Sequence, residues 1–311
     1  MAEPHAFLTP LPELGIIAAT GADASDFLHN QLTNDVMGLP ADTACLAGYC
    51  SPKGRLLATL WVWKSDDAIL MLLPKSLLAA TQKRLQMFVL RAKVTLTDIS
   101  DQLAVIGAGV GPGADFPGLP AATGARQSLA SGTLIRVPEA AGLRRALWIG
   151  PAQQAPALAG ALPAGLVAAD PSLWRWTEIQ AGMPQVLEPT REQFVPQMVN
   201  FELVGGVNFR KGCYPGQEIV ARSQYLGKLK RRMLLASVDA PDAAPGSEVF
   251  ADDDPGQPCG MIVNAERGPD GRLACLVETK MEAARSTIRL GSPSGPPLQL
   301  GQLPYALDTS D

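Results

Sequence analysis

The stretch that most constrains this chain is Lys211–Arg232, KGCYPGQEIVARSQYLGKLKRR. Gly212 and Gly216 permit backbone conformations that other residues avoid, so the segment opens as a tight turn whose amides can converge on a ligand. Pro215 fixes its own φ and removes a donor, which stiffens the loop. Cys213 stands between Lys211 and Tyr214. A thiol reacts as the thiolate, and a cation two residues away favours that form. Gln217 and Glu218 fall where a helix can begin, and Glu218 suits its positive end. Beyond Glu218 come Arg222, Lys228, Lys230, Arg231 and Arg232 with no acid among them. On a chain of net charge −4 this is a local positive patch. It suits a polyanion, a polyglutamate tail or an RNA backbone, and equally a solvated strand end.

With 311 residues, 47% of them hydrophobic, the chain can bury a large core divided into two or three subdomains. Its cysteines are Cys45, Cys50, Cys213, Cys259 and Cys275, an odd number with no CxxC, which fits a reducing compartment rather than a disulfide scaffold. His5 and His29 are the only histidines, which argues against a zinc site, a permanent cluster ligated by Cys and His, or a His-based triad. The N-terminus lacks the charged and apolar regions of a secretory signal, and no run reaches the ~18 apolar residues of a membrane span.

Along the chain, a strand is predicted over 15–20. A helix capped by Asp23 or Ser25 follows, with Phe27, Leu28 and Leu32 inward. A strand–turn–strand unit spans 44–64 around the turn Ser51–Arg55, with Trp61 and Trp63 alternating about Val62. Further strands are expected at 68–73, 93–97, 102–108, 133–137 and 146–150. Helices are expected at 75–91 and 152–161, and loops at 109–125 and 138–143. The glycines of 107–113 fail the GxGxxG spacing at Pro112, so dinucleotide binding is set aside. Asp170 as cap, Pro171 as first residue and Gly182 as stop define a helix carrying Trp174, Glu178 and Gln180. After Arg232, short strands at 233–238, 247–250, 260–265, 272–279 and 287–290 separated by Pro/Gly/Asp turns suggest a small β-barrel. The mixture of strands and helices argues for an α+β fold.

The run Lys211-Gly212-Cys213-Tyr214-Pro215-Gly216-Gln217-Glu218 resembles the signature Lys-Gly-Cys-aromatic-X-Gly-Gln-Glu of the YgfZ folate-binding family, relatives of the aminomethyltransferase (T-protein) of glycine cleavage. All seven specified positions match. The upstream run Gln31–Asp35, the stretch Phe194–Gln197, Asn200, the turn Gly205-Gly206-Val207 and the closing Leu303-Pro304-Tyr305 also follow the pattern. Three departures matter. Leu56, Leu57, Ala58 and Thr59 stand where T-proteins carry an acidic pair that includes their catalytic aspartate, and Asp66 and Asp67 lie at the next turn. Gln180 replaces the glutamate by which T-proteins hold the pterin. A second folate-contacting tryptophan of the family falls near Leu14.

The resemblance implies aminomethyltransferase-like folate-binding domains around a central cavity over 1–232, built as two intertwined subdomains, and a C-terminal β-barrel over 233–311. It implies tetrahydrofolate as cofactor and a cytoplasmic accessory role in assembly or repair of iron–sulfur clusters. The implied partners are iron–sulfur enzymes or assembly factors, with tRNA involved indirectly and no membrane. Cys213 and Lys211 then become the redox or sulfur-handling pair. Trp174, Glu178, Gln180, Asn200, Gly212, Tyr214, Gly216, Gln217, Glu218 and Arg222 become folate contacts, with the ligand between Trp174 and the Cys213 loop and Gln197 as a further amide. Two alternatives stay open: a folate-dependent one-carbon transferase or demethylase relying on Glu178 or Glu218, and an RNA-binding module using 222–232.

Overall fold

The computed structural model describes residues 6–114, 116–155, 167–225 and 229–307. Three sheets organise them. In one, strands β2 (Leu14–Thr20), β3 (Ala44–Cys50), β4 (Leu56–Ser65), β5 (Ala68–Pro74) and β6 (Thr95–Asp98) are ordered β3-β4-β5-β2-β6. In another, β1 (Ala6–Pro10) lies beside β7 (Leu103–Val110), β8 (Arg126–Leu129), β9 (Gly132–Ala140), β10 (Leu143–Pro151) and β11 (Val167–Ala168), in the order β11-β1-β7-β10-β9-β8. The chain thus leaves β1, builds the whole β2–β6 sheet, and returns to finish the first.

Period-2 patterning explains why these sheets face each other. Leu70 and Leu72 of β5 join a core with Phe7, Val105, Leu147 and Trp174, while the alternate Ile69, Met71 and Leu73 enter a second core on the opposite face. A sheet buried on both faces needs apolar residues on both, and β5 (AILMLLP) supplies them. Helix α1 (Ala24–His29) and helix α2 (Lys75–Gln86) pack against this sheet. Asp23 lends no side-chain cap to α1; its Oδ2 instead accepts the Lys93 amide at 2.7 Å. Helix α2 stops at Gln86, short of the expected 91, and Leu90 is exposed with φ of 37°.

Of the segment 138–143, expected as a loop, 138–140 and 143 belong to β9 and β10, and only Ala141 and Gly142, both at positive φ, form the tight turn between them. Of the helix expected over 152–161, Ala152–Gln154 form a 3-10 turn and 156–161 lie outside the described residues. Helix α3 (Pro171–Gln180) forms as read: Asp170 accepts the Ser172 amide and Gly182 reverses the chain at φ of 64°. Helix α4 (Gln217–Tyr225) follows the motif loop.

Strands β12 (Arg231–Val238), β13 (Glu248–Ala251), β14 (Gly260–Arg267), β15 (Leu273–Lys280), β16 (Ile288–Leu290) and β17 (Gln299–Leu300) form the third sheet, ordered β16-β13-β14-β15-β12-β17. Its described pairings leave β16 and β17 as end strands rather than closing a ring. Met233, Val263 and Leu276 from this sheet share a core with Ile179 and Phe201, so the C-terminal strands are packed onto α3 and the segment after it. No helix among the described residues is long and apolar enough to cross a membrane.

Candidate functional site

Two adjoining clefts open where the three sheets meet α3. Counting the solvent at their open mouths they span about 470 and 510 Å³, and they share Leu14, Trp174, Glu178, Met183 and Gln185. The first is walled by Thr59 and Trp61 of β4, Leu72 of β5 and Leu147 of β10; the second reaches Asn264 and Ala265 of β14. Gln185 and Asn264 exchange two 2.9 Å hydrogen bonds, which tie the segment after α3 to the third sheet.

The cleft's electrostatics begin with Arg145. A bulge between Leu143 and Arg145 interrupts the β9–β10 register, and such a shift re-aims a side chain. Arg145 is fully buried. Its Nη1 donates to Thr177 Oγ1 at 2.9 Å and to Glu178 Oε1 at 2.6 Å, and its Nε to the Pro138 carbonyl. Its guanidinium lies 5.0 Å from the Trp174 ring centroid. Gly107 backs onto the same indole so closely that a Cβ there would sit 2.3 Å from it. Trp174 is therefore a wall of the clefts, 4% exposed, rather than an open stacking platform. The half-buried indole that lines the first cleft is Trp61. Leu14 faces both clefts, and Thr59, at the position of the missing acid, accepts the Val186 amide N–H at its hydroxyl oxygen. At the rim, Arg175 bridges Glu13 (3.0 Å) and Glu266 (2.7 Å).

The motif loop sits elsewhere: no residue of 211–218 lines either cleft. The expected placement of one ligand against both Trp174 and the Cys213 loop therefore does not match the observed hollows. Gly216, at φ of 79°, presses on the β3–β4 turn; a Cβ there would lie 2.4 Å from the Ser51 carbonyl oxygen and 2.6 Å from Gly54. Gly54 answers at φ of 69°, so two glycines allow the loop and the turn to touch. Tyr214 is buried beneath the loop, and burial pushes its phenol up. Cys213 is exposed.

Lys211 is buried. Its Nζ donates to the carbonyls of His29 and, at 2.7 Å, Leu32, and lies 5.1 Å from the Tyr214 ring centroid. Burial pulls its ammonium down to about 8, while Asp35 and Cys213 pull it up. Of the remaining motif residues, Gln217 starts α4, and Gly212, Glu218 and Arg222 are exposed.

Other expected contacts have structural partners. Asn200 adopts left-handed geometry (φ 56°), is fully buried, and donates from Nδ2 to the Met233 carbonyl at 2.7 Å. Gln197 is likewise fully buried and donates to the Val220 carbonyl. Both amides clamp backbone instead of facing a ligand. Gln180 lines neither cleft. In the basic segment, Arg231 pairs with Glu278 and buried Arg232 with Glu202. The free positive charge expected of 222–232 thus shrinks to exposed Arg222 and Lys230; Lys228 lies outside the described residues.

Sequence reading missed Trp61 as a cleft residue, Arg145, and the pair His29–Asp35 beside Lys211. An arginine followed by the apolar run ALWIG was a signal for Arg145. The resemblance over Gln31–Asp35 was a signal for Asp35.

Interleaved sheets with a cleft at their junction define a T-protein-type fold. The structure matches the crystal structure of glycine cleavage system aminomethyltransferase T from Bartonella henselae with a TM-score of 0.77 over 98% of this chain and 87% of that one, at 16% sequence identity. No family model matches the sequence. The "tRNA-modifying protein YgfZ" of Edwardsiella ictaluri is 30% identical over 308 residues, covering 95% of this chain and 91% of that protein. The protein of the same name from Vibrio vulnificus strain YJ016 is 30% identical over 310 residues, 98% and 94% respectively. This chain belongs to the YgfZ family.

Proposed function

We propose that this protein binds tetrahydrofolate in the cleft at the three-sheet junction and serves, in the cytoplasm, as an accessory factor for assembly or repair of iron–sulfur clusters, including those of tRNA-modifying enzymes. The observation that carries the proposal is the placing of the Glu178 carboxylate and the Trp61 indole in one cleft. A pterin offers a flat π-face and a row of N–H donors. The indole suits the first and the carboxylate the second. Arg145 engages only Oε1 of Glu178 among the described residues, which leaves the second carboxylate oxygen to accept from a polar heterocycle. Leu14, Met183 and Leu147 supply the apolar remainder. Bound tetrahydrofolate would supply a carrier for one-carbon units. The relatives' name, "tRNA-modifying protein", supports the link to tRNA modification.

Cys213, with Lys211 fixed behind it, is the sulfur-handling or redox group in this reading, working at the surface where iron–sulfur enzymes or assembly factors can reach it. One-carbon transfer by this chain is the weaker reading. Glu178 is tied to Arg145, Glu218 is exposed away from both clefts, and Thr59 stands where an acid would be needed.

Tetrahydrofolate titration followed by tryptophan fluorescence tests the binding. A saturable change is expected in the native protein, weakened at least tenfold in Trp61→Leu with its thermal midpoint preserved. No saturable change in the native protein overturns it. Cys213→Ala should fail to restore cluster-enzyme activity in cells lacking the native protein; full rescue removes the thiol from the function.

A further inference from the structure

The Cys213 loop packs against the end of α1. An ideal Cβ on Gly212, the residue before the thiol, would lie 3.5 Å from His29 Nε2. The other ring nitrogen, Nδ1, lies 3.0 Å from Asp35 Oδ1. Asp35 is itself held, since its Oδ1 accepts the Gly38 amide at 2.8 Å. That amide, with His29 and Lys211, keeps its carboxyl below the usual range against the burial that raises it. The imidazole therefore lies at ion-pair distance from a carboxylate on one side, with no hydrogen bond formed at Nδ1 among the described residues, and its second nitrogen abuts the backbone that carries an exposed cysteine. Lys211 donates to the carbonyls of His29 and Leu32, which ties the start of the motif loop to the same end of α1.

We infer that His29, oriented by Asp35, is the proton acceptor for the Cys213 thiol, so that the loop is a Cys–His–Asp constellation with Lys211 as its fixed cation. This rests on Cys213 being the working thiol of the function proposed above. A nucleophile beside a base that a third group orients is the recurring arrangement for activating a thiol. Lys211 is unsuited to be the base, because two carbonyls accept from its ammonium. Imidazole changes charge in the range where a thiol must be deprotonated on demand. Asp35 also acts on Cys45, which burial, reinforced by Asp35, pushes up to about 12 and so keeps as a thiol.

The step this permits is thiol–disulfide exchange with a low-molecular-weight disulfide. The Cys213 proton passes to His29 Nε2, and the thiolate attacks one sulfur of the disulfide. One S–S bond forms as the other breaks. The departing thiolate takes the proton back from the imidazolium. Cys213 is oxidised to the mixed disulfide and half of the reagent is reduced to its thiol.

The test is the pH–rate profile of Cys213 alkylation by iodoacetamide, read by intact mass, in the full-length protein. Cys213→Ser supplies the background from the other four cysteines. His29→Gln should move the midpoint of the profile upward by about one pH unit or more, a tenfold loss of thiolate at the lower pH. Asp35→Asn, which retains an acceptor for the Gly38 amide, should move it part of the way. A His29→Gln profile that superimposes on the native one overturns the inference. Should that variant misfold, an Asp35→Asn profile identical to the native one does the same. The outcome is separable from the cellular role. A shifted profile with full rescue by Cys213→Ala would sink the function and leave the constellation. An unshifted profile with failed rescue would do the reverse.

Discussion

The cleft and the motif loop solve opposite problems with similar residues. In the cleft every described charge is partnered: Arg145 with Glu178, and Arg175 with Glu13 and Glu266. In the loop a buried ammonium donates to carbonyls and lies over a ring, and a thiol stands in solvent. Paired charges on rigid strands and a helix give a preorganised receptor. A desolvated cation beside an exposed nucleophile gives a reactive centre. The two regions stand apart, and strand β3 spans them: its Leu46 lines the first cleft, while its Cys50 shares a core with Tyr214 of the motif loop. Chemistry at the proposed thiol site need not then disturb the cleft.

Glu178→Ala should break this contrast most severely. It leaves Arg145, which has no exposed surface, as an uncompensated buried charge, at a cost of about 3–5 kcal/mol. Urea unfolding measures it. Glu218→Ala, on the exposed face of α4, should change stability by less than about 0.5 kcal/mol in the same experiment. Equal losses would show that the two carboxylates sit in like environments and that the separation is wrong.

Gly216→Ala comes next. A side chain at φ of 79° costs about 1–2 kcal/mol, and its Cβ would collide with backbone of the β3–β4 turn, so a total of about 2–4 kcal/mol is expected. The sharper reading is differential. Cys213 alkylation should change its rate, while tetrahydrofolate affinity per folded molecule should hold, since Gly216 lines neither cleft. Loss of both together would join what the structure keeps apart.

What was legible in the sequence follows the range of the interaction. Helix α3 was readable because its cap, its proline and its stop lie within thirteen residues of each other, Asp170 to Gly182. The β3–β4 hairpin was readable from its turn, and the motif loop from its glycines. The partners of Asn200 and Arg232, Met233 and Glu202, were not readable because they come from segments about thirty residues away. A buried amide clamping a carbonyl has the same letter as one facing a ligand. His29 was set aside because histidines are few, and its approach to the motif, brought about by the packing of α1, was not readable in the sequence. The glutamine of the third helix illustrates a further limit. A family position can align while the helix turns that side chain away from the hollow, as Gln180 does and Glu178 does not.

The smallest effect tests the loop's side of the contrast alone. Burial pulls Lys211 down to about 8 in the native state, against about 10.4 in an unfolded chain. Below pH 8 both states hold the proton, and the native state bears the full penalty of the buried cation. Between pH 8 and 10.4 the unfolded state binds more protons, so this residue's contribution to stability rises with pH. Buried thiols at Cys45, Cys50 and Cys275, pushed up to about 12, act in the opposite direction as unfolded thiols ionise. They are common to native and variant, so the difference between the native protein and Lys211→Met isolates the lysine. From pH 7 to pH 9.5, with reductant present, that difference should move in favour of the native protein by on the order of 1 kcal/mol. A difference that ignores pH would mean the ammonium is fully solvated. The loop would then hold no desolvated cation, and the cleft would be left as the one preorganised site of the pair.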